Sequence, residues 1–258
     1  MVRLKTVRRD APWSWLSGGF ADMMAHPVIS FGYGAAFTLI GIAITLGLWW
    51  MGMLALIPVL IGGFALVAPV FAVGVYRINQ VRDAGEEPKL LDFWRISPSR
   101  LTQLGLLSVL LFVFFLLWAR LAQFIFAMFA HGTEMRLDAF MEFIFTTPNG
   151  VLLLGVGTAV GAFFALVAFM VSALSFPMIV DKDVDAITAL VASVKAVFSQ
   201  PFVMATWAIQ IAFMMAVGGA LFLLGIAVVF PWVAHATWRA YKDFDPQPEP
   251  SAAAASSA

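Results

Sequence analysis

Five stretches of this chain run for 19 residues or more without a formal charge: 31–50, 53–76, 101–119, 151–180 and 201–238. As a helix, an apolar run of about 18 residues crosses the roughly 30 Å hydrocarbon core of a bilayer, where every backbone polar group must be satisfied within its own segment. The pattern therefore specifies an all-α polytopic membrane helical bundle. Composition agrees, with 62% hydrophobic and 12% charged residues, against roughly half and a quarter in an average soluble domain. The net charge is zero, and charges this sparse give no reason to expect a nucleic-acid partner. The absence of cysteine excludes disulfides, iron–sulfur clusters, thiolate zinc sites and covalently attached haem. The basic start, Arg3 to Arg9, leads into Trp13-Ser14-Trp15-Leu16. That order does not fit a cleavable signal peptide, so the first span is expected to stay in the mature protein.

The last run decides the span count. Its 38 residues would extend about 57 Å as one helix at 1.5 Å per residue, nearly twice the hydrocarbon thickness. Gly218-Gly219 supplies the weakest helical positions near its middle. The expected spans are therefore six, at about 31–50, 53–76, 101–120, 151–180, 202–217 and 220–240. With the N-terminus inside, 13 of the 15 Lys and Arg fall on the cytoplasmic side, leaving Arg120 and Arg136 outside, as the positive-inside rule requires. Trp49, Trp50 and Trp118 fall at outer span ends and Trp94 and Trp238 at inner ends, where amphipathic rings prefer to lie. Residues 1–12 read as a basic cytoplasmic N-terminus, 13–242 as the membrane domain, and 243–258, ending in Ser and Ala only, as a disordered cytoplasmic tail.

Three times a short amphipathic piece precedes a proline and a hairpin: 13–26 before Pro27, 90–97 before Pro98, and 186–200 before Pro201. The third places Ile187, Leu190, Val191, Val194, Val197 and Phe198 on one face and should lie along the cytoplasmic interface. The expected architecture is thus three hairpins, each preceded by an interfacial helix. Outside, residues 134–145 should form a short interfacial helix of negative charge. Gly157 and Gly161 form a small-xxx-small pair suited to close helix approach, and Pro58 and Pro69 should bend the second span.

The expected spans contain no Asp, Glu or Lys, which disfavours a proton-coupled carrier. Three histidines, His26, His131 and His235, are too few and too dispersed to predict haem or metal, so no cofactor or metal site is expected. The densest polar cluster is Asp181-Lys182-Asp183-Val184-Asp185, at the inner end of span four. Asp181 or Asp183 can cap the helix that follows. Together with His235, Trp238, Arg239 and Tyr241 at the end of span six, Asp181, Asp183 and Asp185 form the candidate functional surface. There a carboxylate–guanidinium pair would fix span four against span six.

The run Ser175 to Asp185 (Ser-Phe-Pro-Met-Ile-Val-Asp-Lys-Asp-Val-Asp), Ser193 to Val197, Pro201 and the ending Pro231 to Tyr241 resemble an uncharacterised bacterial family of predicted multi-pass integral membrane proteins, a domain of unknown function. Members are sometimes labelled "cytochrome c oxidase subunit I-like". The resemblance spans about residues 13–242 and implies a bacterial inner-membrane location. Family endings carry Gly before the histidine and His after the tryptophan; Ala234 and Arg239 stand there instead, which weakens any two-histidine ligand pair. A haem–copper oxidase catalytic subunit needs six histidine ligands, so this chain is not one. Three functional classes follow in order of expectation. First is an accessory or interaction protein of a larger membrane complex, such as a respiratory one; second is a small-solute channel or transporter; last is an enzyme, for which no catalytic set is found.

Overall fold

The computed structural model describes residues 2–53, 56–89, 92, 95–130, 137–221 and 224–248. Among them the helices are α1 (Ala11–Ala25), α2 (Pro27–Trp50), α3 (Ile57–Phe71), α4 (Val73–Asp83), α5 (Pro98–Phe129), α6 (Leu137–Thr146), α7 (Pro148–Ser172), α8 (Ser175–Asp181), α9 (Ala186–Ser199), α10 (Pro201–Ala220) and α11 (Ile226–Phe244). Two short strands, β1 (Val2–Arg3) and β2 (Gln247–Pro248), pair antiparallel. Five helical stretches are long and apolar enough to cross a bilayer: 27–50, 59–83, 98–129, 148–181 and 201–220. α11, the expected sixth span, is not among them.

Polar and apolar groups are distributed as a membrane protein requires. Large apolar side chains such as Leu39, Ile40, Phe112, Leu117, Phe163, Ile209 and Phe213 face outward, whereas Ser30, Asn79, Ser193 and His235 are buried. α9 states the rule most clearly. Ala189, Ala192, Ser193 and Ala196 face the protein, while Ile187 and Phe198 are 75% and 72% exposed. A soluble amphipathic helix does the reverse. Small residues inward and bulky ones outward let helices approach closely while lipid covers the remainder.

Proline shapes the helices in two ways. Pro27, Pro98, Pro148 and Pro201 each stand in a first turn, where the missing N–H is harmless. Pro177 instead breaks a helix. Its ring cannot coexist with a helical carbonyl four residues earlier, and the chain departs from helix at Ala173 and Leu174, separating α7 from α8. The N–H of Leu174 donates to Ser193 Oγ at 3.1 Å, so the break is satisfied by α9. Pro69 remains inside α3, and the break expected in this span falls at Ala72. The Phe71 carbonyl there accepts from the Tyr33 hydroxyl at 2.5 Å.

Several expectations are corrected. Asp243 and Phe244 complete α11, and 247–248 form a strand, so the tail is ordered through residue 248. Residues poor in apolar bulk are held there by pairing with β1. Gly157 meets no neighbour and Gly161 meets Trp118, so the pair does not join two backbones. Half of the piece 90–97 falls outside the described residues, as do His131 and Arg136. The expected outer helix is seen as α6, beginning at Leu137.

α2 and α11 approach closely. Pro231 lies inside α11 and has no N–H to donate to the carbonyl of Ala227, and a Cβ on Gly34 would overlap that carbonyl oxygen. Gly34→Ala should therefore lower stability by about 1–3 kcal/mol, the usual cost of overpacking. Gly105→Ala, on a helix face with nothing within 4 Å, should be neutral or stabilising. Thermal denaturation of the purified variants in detergent compares the two.

Candidate functional site

Six helices, α1, α2, α4, α5, α8 and α11, contribute to a ladder of polar groups at one end of the bundle, and α11 runs through its centre. At its inner rung His235 is fully buried. Nε2 lies 3.1 Å from Ser30 Oγ on α2, and Nδ1 lies 3.0 Å from Asn79 Oδ1 on α4. The Asn79 amide nitrogen donates to the Val75 carbonyl at 2.9 Å, so its oxygen is the acceptor. This arrangement assigns the proton to Nδ1 and leaves Nε2 to accept from Ser30, giving a neutral imidazole with both nitrogens satisfied.

One turn further along α11, Arg239 meets Asp22 of α1. Nε and a terminal nitrogen bond the two carboxylate oxygens at 2.5 and 2.7 Å. Arg82 of α4 adds a third contact at 2.7 Å. Asp22 thus binds two guanidinium groups from two helices while only 6% exposed. Gly18 and Gly19 make room, because side chains there would strike Arg239 and the Ala236 backbone. Beside this rung the Trp238 indole N–H donates to Asp83 at 2.9 Å, and Arg82 also reaches Asp83 at 3.1 Å.

The next rung joins α8 to α11. Asp181 accepts from the Tyr241 hydroxyl at 2.7 Å and from Lys242 at 2.9 Å. The end of α8 is closed from two other helices: Gln80 Nε2 and Arg100 donate to the Val180 carbonyl at 2.7 and 2.8 Å. These are suitable partners for the negative end of a helix. The last rung binds the termini. Asp245 accepts from Lys5 at 2.9 Å and Lys182 at 3.4 Å, and Lys182 also donates to the Pro246 carbonyl at 2.6 Å. The Lys5 N–H donates to the Phe244 carbonyl, while Gln200 bonds the Val7 N–H and the Lys5 carbonyl.

The seven sequence-selected residues are thus brought to one end, but in different roles. Asp181 and Tyr241 meet directly and fix α8 against α11. The expected guanidinium is not part of that tie, because Arg239 turns to Asp22 on the opposite side. His235 is interior rather than interfacial. Trp238 bonds Asp83. Asp185, rather than Asp181 or Asp183, caps α9, accepting from the Thr188 N–H at 2.8 Å and hydroxyl at 2.6 Å. Those bonds hold its carboxyl below the usual carboxylate range. Asp183 is exposed and has no polar partner among the described residues. Sequence reasoning missed Asp22, Asn79, Arg82 and Asp83. Asp22 did leave a signal as the lone carboxylate within the amphipathic piece 13–26. Among the described residues no group of three or more His, Asp or Glu is arranged to hold a metal ion.

Long lipid-facing helices around a polar end define an α-helical integral membrane protein. Residues 56–181, from the start of α3 through α8, match the family model described as predicted integral membrane protein (DUF2189). Over that stretch the chain is similar to this family, and the match contains Ser175–Asp181 of the motif that carried the resemblance. No curated protein and no solved structure matches the chain.

Two outcomes test the ladder. Asp22→Asn leaves two partly exposed guanidinium groups facing a neutral amide and should cost about 1–3 kcal/mol, as for an impaired charge-assisted hydrogen bond, read as a lowered melting temperature. The Asp245 carboxyl is held low chiefly by its bond to Lys5. Its contribution is therefore complete above the ordinary value of 3.8 and lost as pH falls through the lower folded value. Protease cleavage near residue 245 should rise only below about pH 4, and Lys5→Gln should flatten that dependence.

Proposed function

We propose that this protein is an accessory or interaction component of a larger complex in a bacterial inner membrane, with both termini cytoplasmic. Orientation is supported by the positive-inside rule. Arg82, Arg100, Lys182, Arg239 and Lys242 all cluster at the ladder end, whereas Arg120 lies about 30 Å along α5 from Arg100 at 1.5 Å per residue. The bundle enters as three hairpins, α2–α3, α5–α7 and α10–α11.

The observation that carries the interaction reading is the contrast within the turn 181–185. Asp181, Lys182 and Asp185 are engaged by internal partners, while Asp183 between them presents a free carboxylate to the cytoplasm. A carboxylate held out by a rigid turn suits a cationic partner surface and offers little to catalysis. Asp183→Ala should leave the melting temperature within about 0.5 kcal/mol of the parent, as for an ordinary surface change. It should nevertheless diminish the set of proteins recovered with the tagged chain from native membranes. Unchanged recovery would remove Asp183 from the docking surface.

One observation favours the small-solute reading as the alternative. On α10 the Gln210 amide and the Trp207 indole N–H are buried without hydrogen-bond partners among the described residues. Polar groups left unbonded in an apolar bundle invite water or a small polar solute. Gln210→Leu should raise stability if the groups are only a structural cost. It should abolish uptake into proteoliposomes if they bind a passing solute.

A further inference from the structure

The third hairpin differs from the other two in how far its second arm reaches, although α10, with 20 residues, is by itself about 30 Å long. α2 has 24 residues and rises about 36 Å, yet its buried residues are Ser30, Gly34 and Thr38, with none beyond. This is also the stretch that meets α11. Ser30 bonds His235, Gly34 abuts Ala227, and Phe37 packs on Phe230 with ring centroids 5.1 Å apart. α11 begins at Ile226 and Ala227 meets Gly34, so its first turn stands near the first third of α2. The 12 residues from Leu39 to Trp50, about 18 Å of helix, continue past it. α10 returns alongside, with Gly218 against Val229 and Gly225.

By contrast, α2, α3 and α5 continue outward together. Ile44, Leu60, Phe64, Phe71, Phe112 and Phe115 line one apolar cleft of about 420 Å³, which Phe64 joins to Phe230 of α11. The charge-free part of α11 agrees with a short reach. Ile226 to Trp238 is 13 residues, about 20 Å at 1.5 Å per residue, against the roughly 30 Å needed to cross.

The connection between α10 and α11 is also built for hydrocarbon. Residues 221–224 read Leu-Phe-Leu-Leu, and Leu221 and Leu224 are 58% and 65% exposed. Several described backbone donors in and just after it are satisfied locally. The N–H of Leu221 donates to Val217, that of Leu224 to Leu221, that of Ala227 to Leu224, and those of Val228 and Val229 to Gly225. Hydrocarbon imposes that condition on any turn it surrounds. No Trp or Tyr flanks the connection, whereas the outer end of α2 carries Trp49 and Trp50, the residues that mark an interface.

We propose that α10 and α11 form a re-entrant hairpin. It enters from the ladder side, turns back inside the bilayer and returns to the same side, and acyl chains of the opposite leaflet cover Leu221, Leu224 and the outer half of α2. Four helical stretches then cross fully, 27–50, 59–83, 98–129 and 148–181, and both termini still share one side.

The absence of native cysteine makes the test direct. Single-cysteine variants in sealed membranes are treated with a membrane-impermeant maleimide from each face in turn. Met51→Cys, at the outer end of α2, and Glu86→Cys, in the loop after α4, should label from opposite faces and so report orientation independently. Leu224→Cys should label from neither face, and a fluorophore attached to it in detergent and reconstituted should be quenched by lipids brominated near the acyl-chain centre. Labelling of Leu224→Cys from the face that labels Met51→Cys would overturn the proposal in favour of a complete crossing. Labelling from the Glu86→Cys face would overturn it as well. Leu221→Cys gives the same readout from the other arm should the first substitution disturb packing.

Discussion

The carboxylate of Asp22 is the interaction on which the rest of the ladder end depends. α11 carries His235, Arg239, Tyr241 and Lys242 within a helix that packs at the centre of the molecule. Such a helix is tolerable there only if each polar group finds a partner. Asp22 satisfies Arg239 with two bonds and Arg82 with a third, and thereby ties α1, α4 and α11 together. Buried ion pairs often do no better than apolar packing in net stability. What this one adds is position. A bidentate contact is directional, so sliding α11 by one residue, about 1.5 Å along the axis and 100° around it, would break it. The same slide would separate His235 from Ser30 and Asn79, Trp238 from Asp83, and Tyr241 from Asp181. Rungs that all fail together make the register cooperative.

Elsewhere the bundle is held by contact rather than by polarity. Lipid tails are as apolar as leucine, so burying large side chains between helices gains little over leaving them in the bilayer, and close backbone approach becomes the main source of attraction. α9 puts alanines toward its neighbours and Ile187 and Phe198 outward. α1 brings Gly18 and Gly19 against α11, and α2 brings Gly34 against Ala227. These positions differ from the glycine pair singled out by spacing in the sequence, because Gly157 turns to open surface. Spacing places two small residues on one face, but it does not say what that face meets.

What was legible in the sequence follows from the range of each determinant. The apolar runs are local, and five of the expected spans coincide with long apolar helices. The break at Gly218-Gly219 is local too, and α10 ends at Ala220. Prolines in first turns announced the starts of α2, α5 and α10. The determinants that were missed are non-local. Arg239 and Asp22 are 217 residues apart in sequence, and β2 exists only because β1 is beside it. The interruption between α7 and α8 required both Pro177 and a serine on another helix. The cluster 181–185 drew notice through its density of charge. Density did not separate Asp185, which caps its own helix, from Asp181, which reaches α11, or from Asp183, which reaches nothing.

The final apolar run shows why length alone fixes neither a span nor its depth. Thirty-eight uncharged residues suffice for two crossings, and hydropathy cannot distinguish two full spans from two partial ones. The distinction lies in which residues face other protein. α11 becomes polar after Trp238 and must keep its last turns among the charged partners of the ladder, which fixes its inner end. Pro231 and Gly34 then fix its lateral position by pressing the Ala227 carbonyl against α2 near the first third of that helix. With both points set, α11 itself begins no further outward than Ile226, whereas 12 residues of α2 follow Thr38. The polar end of α11 therefore dictates the depth of its apolar end.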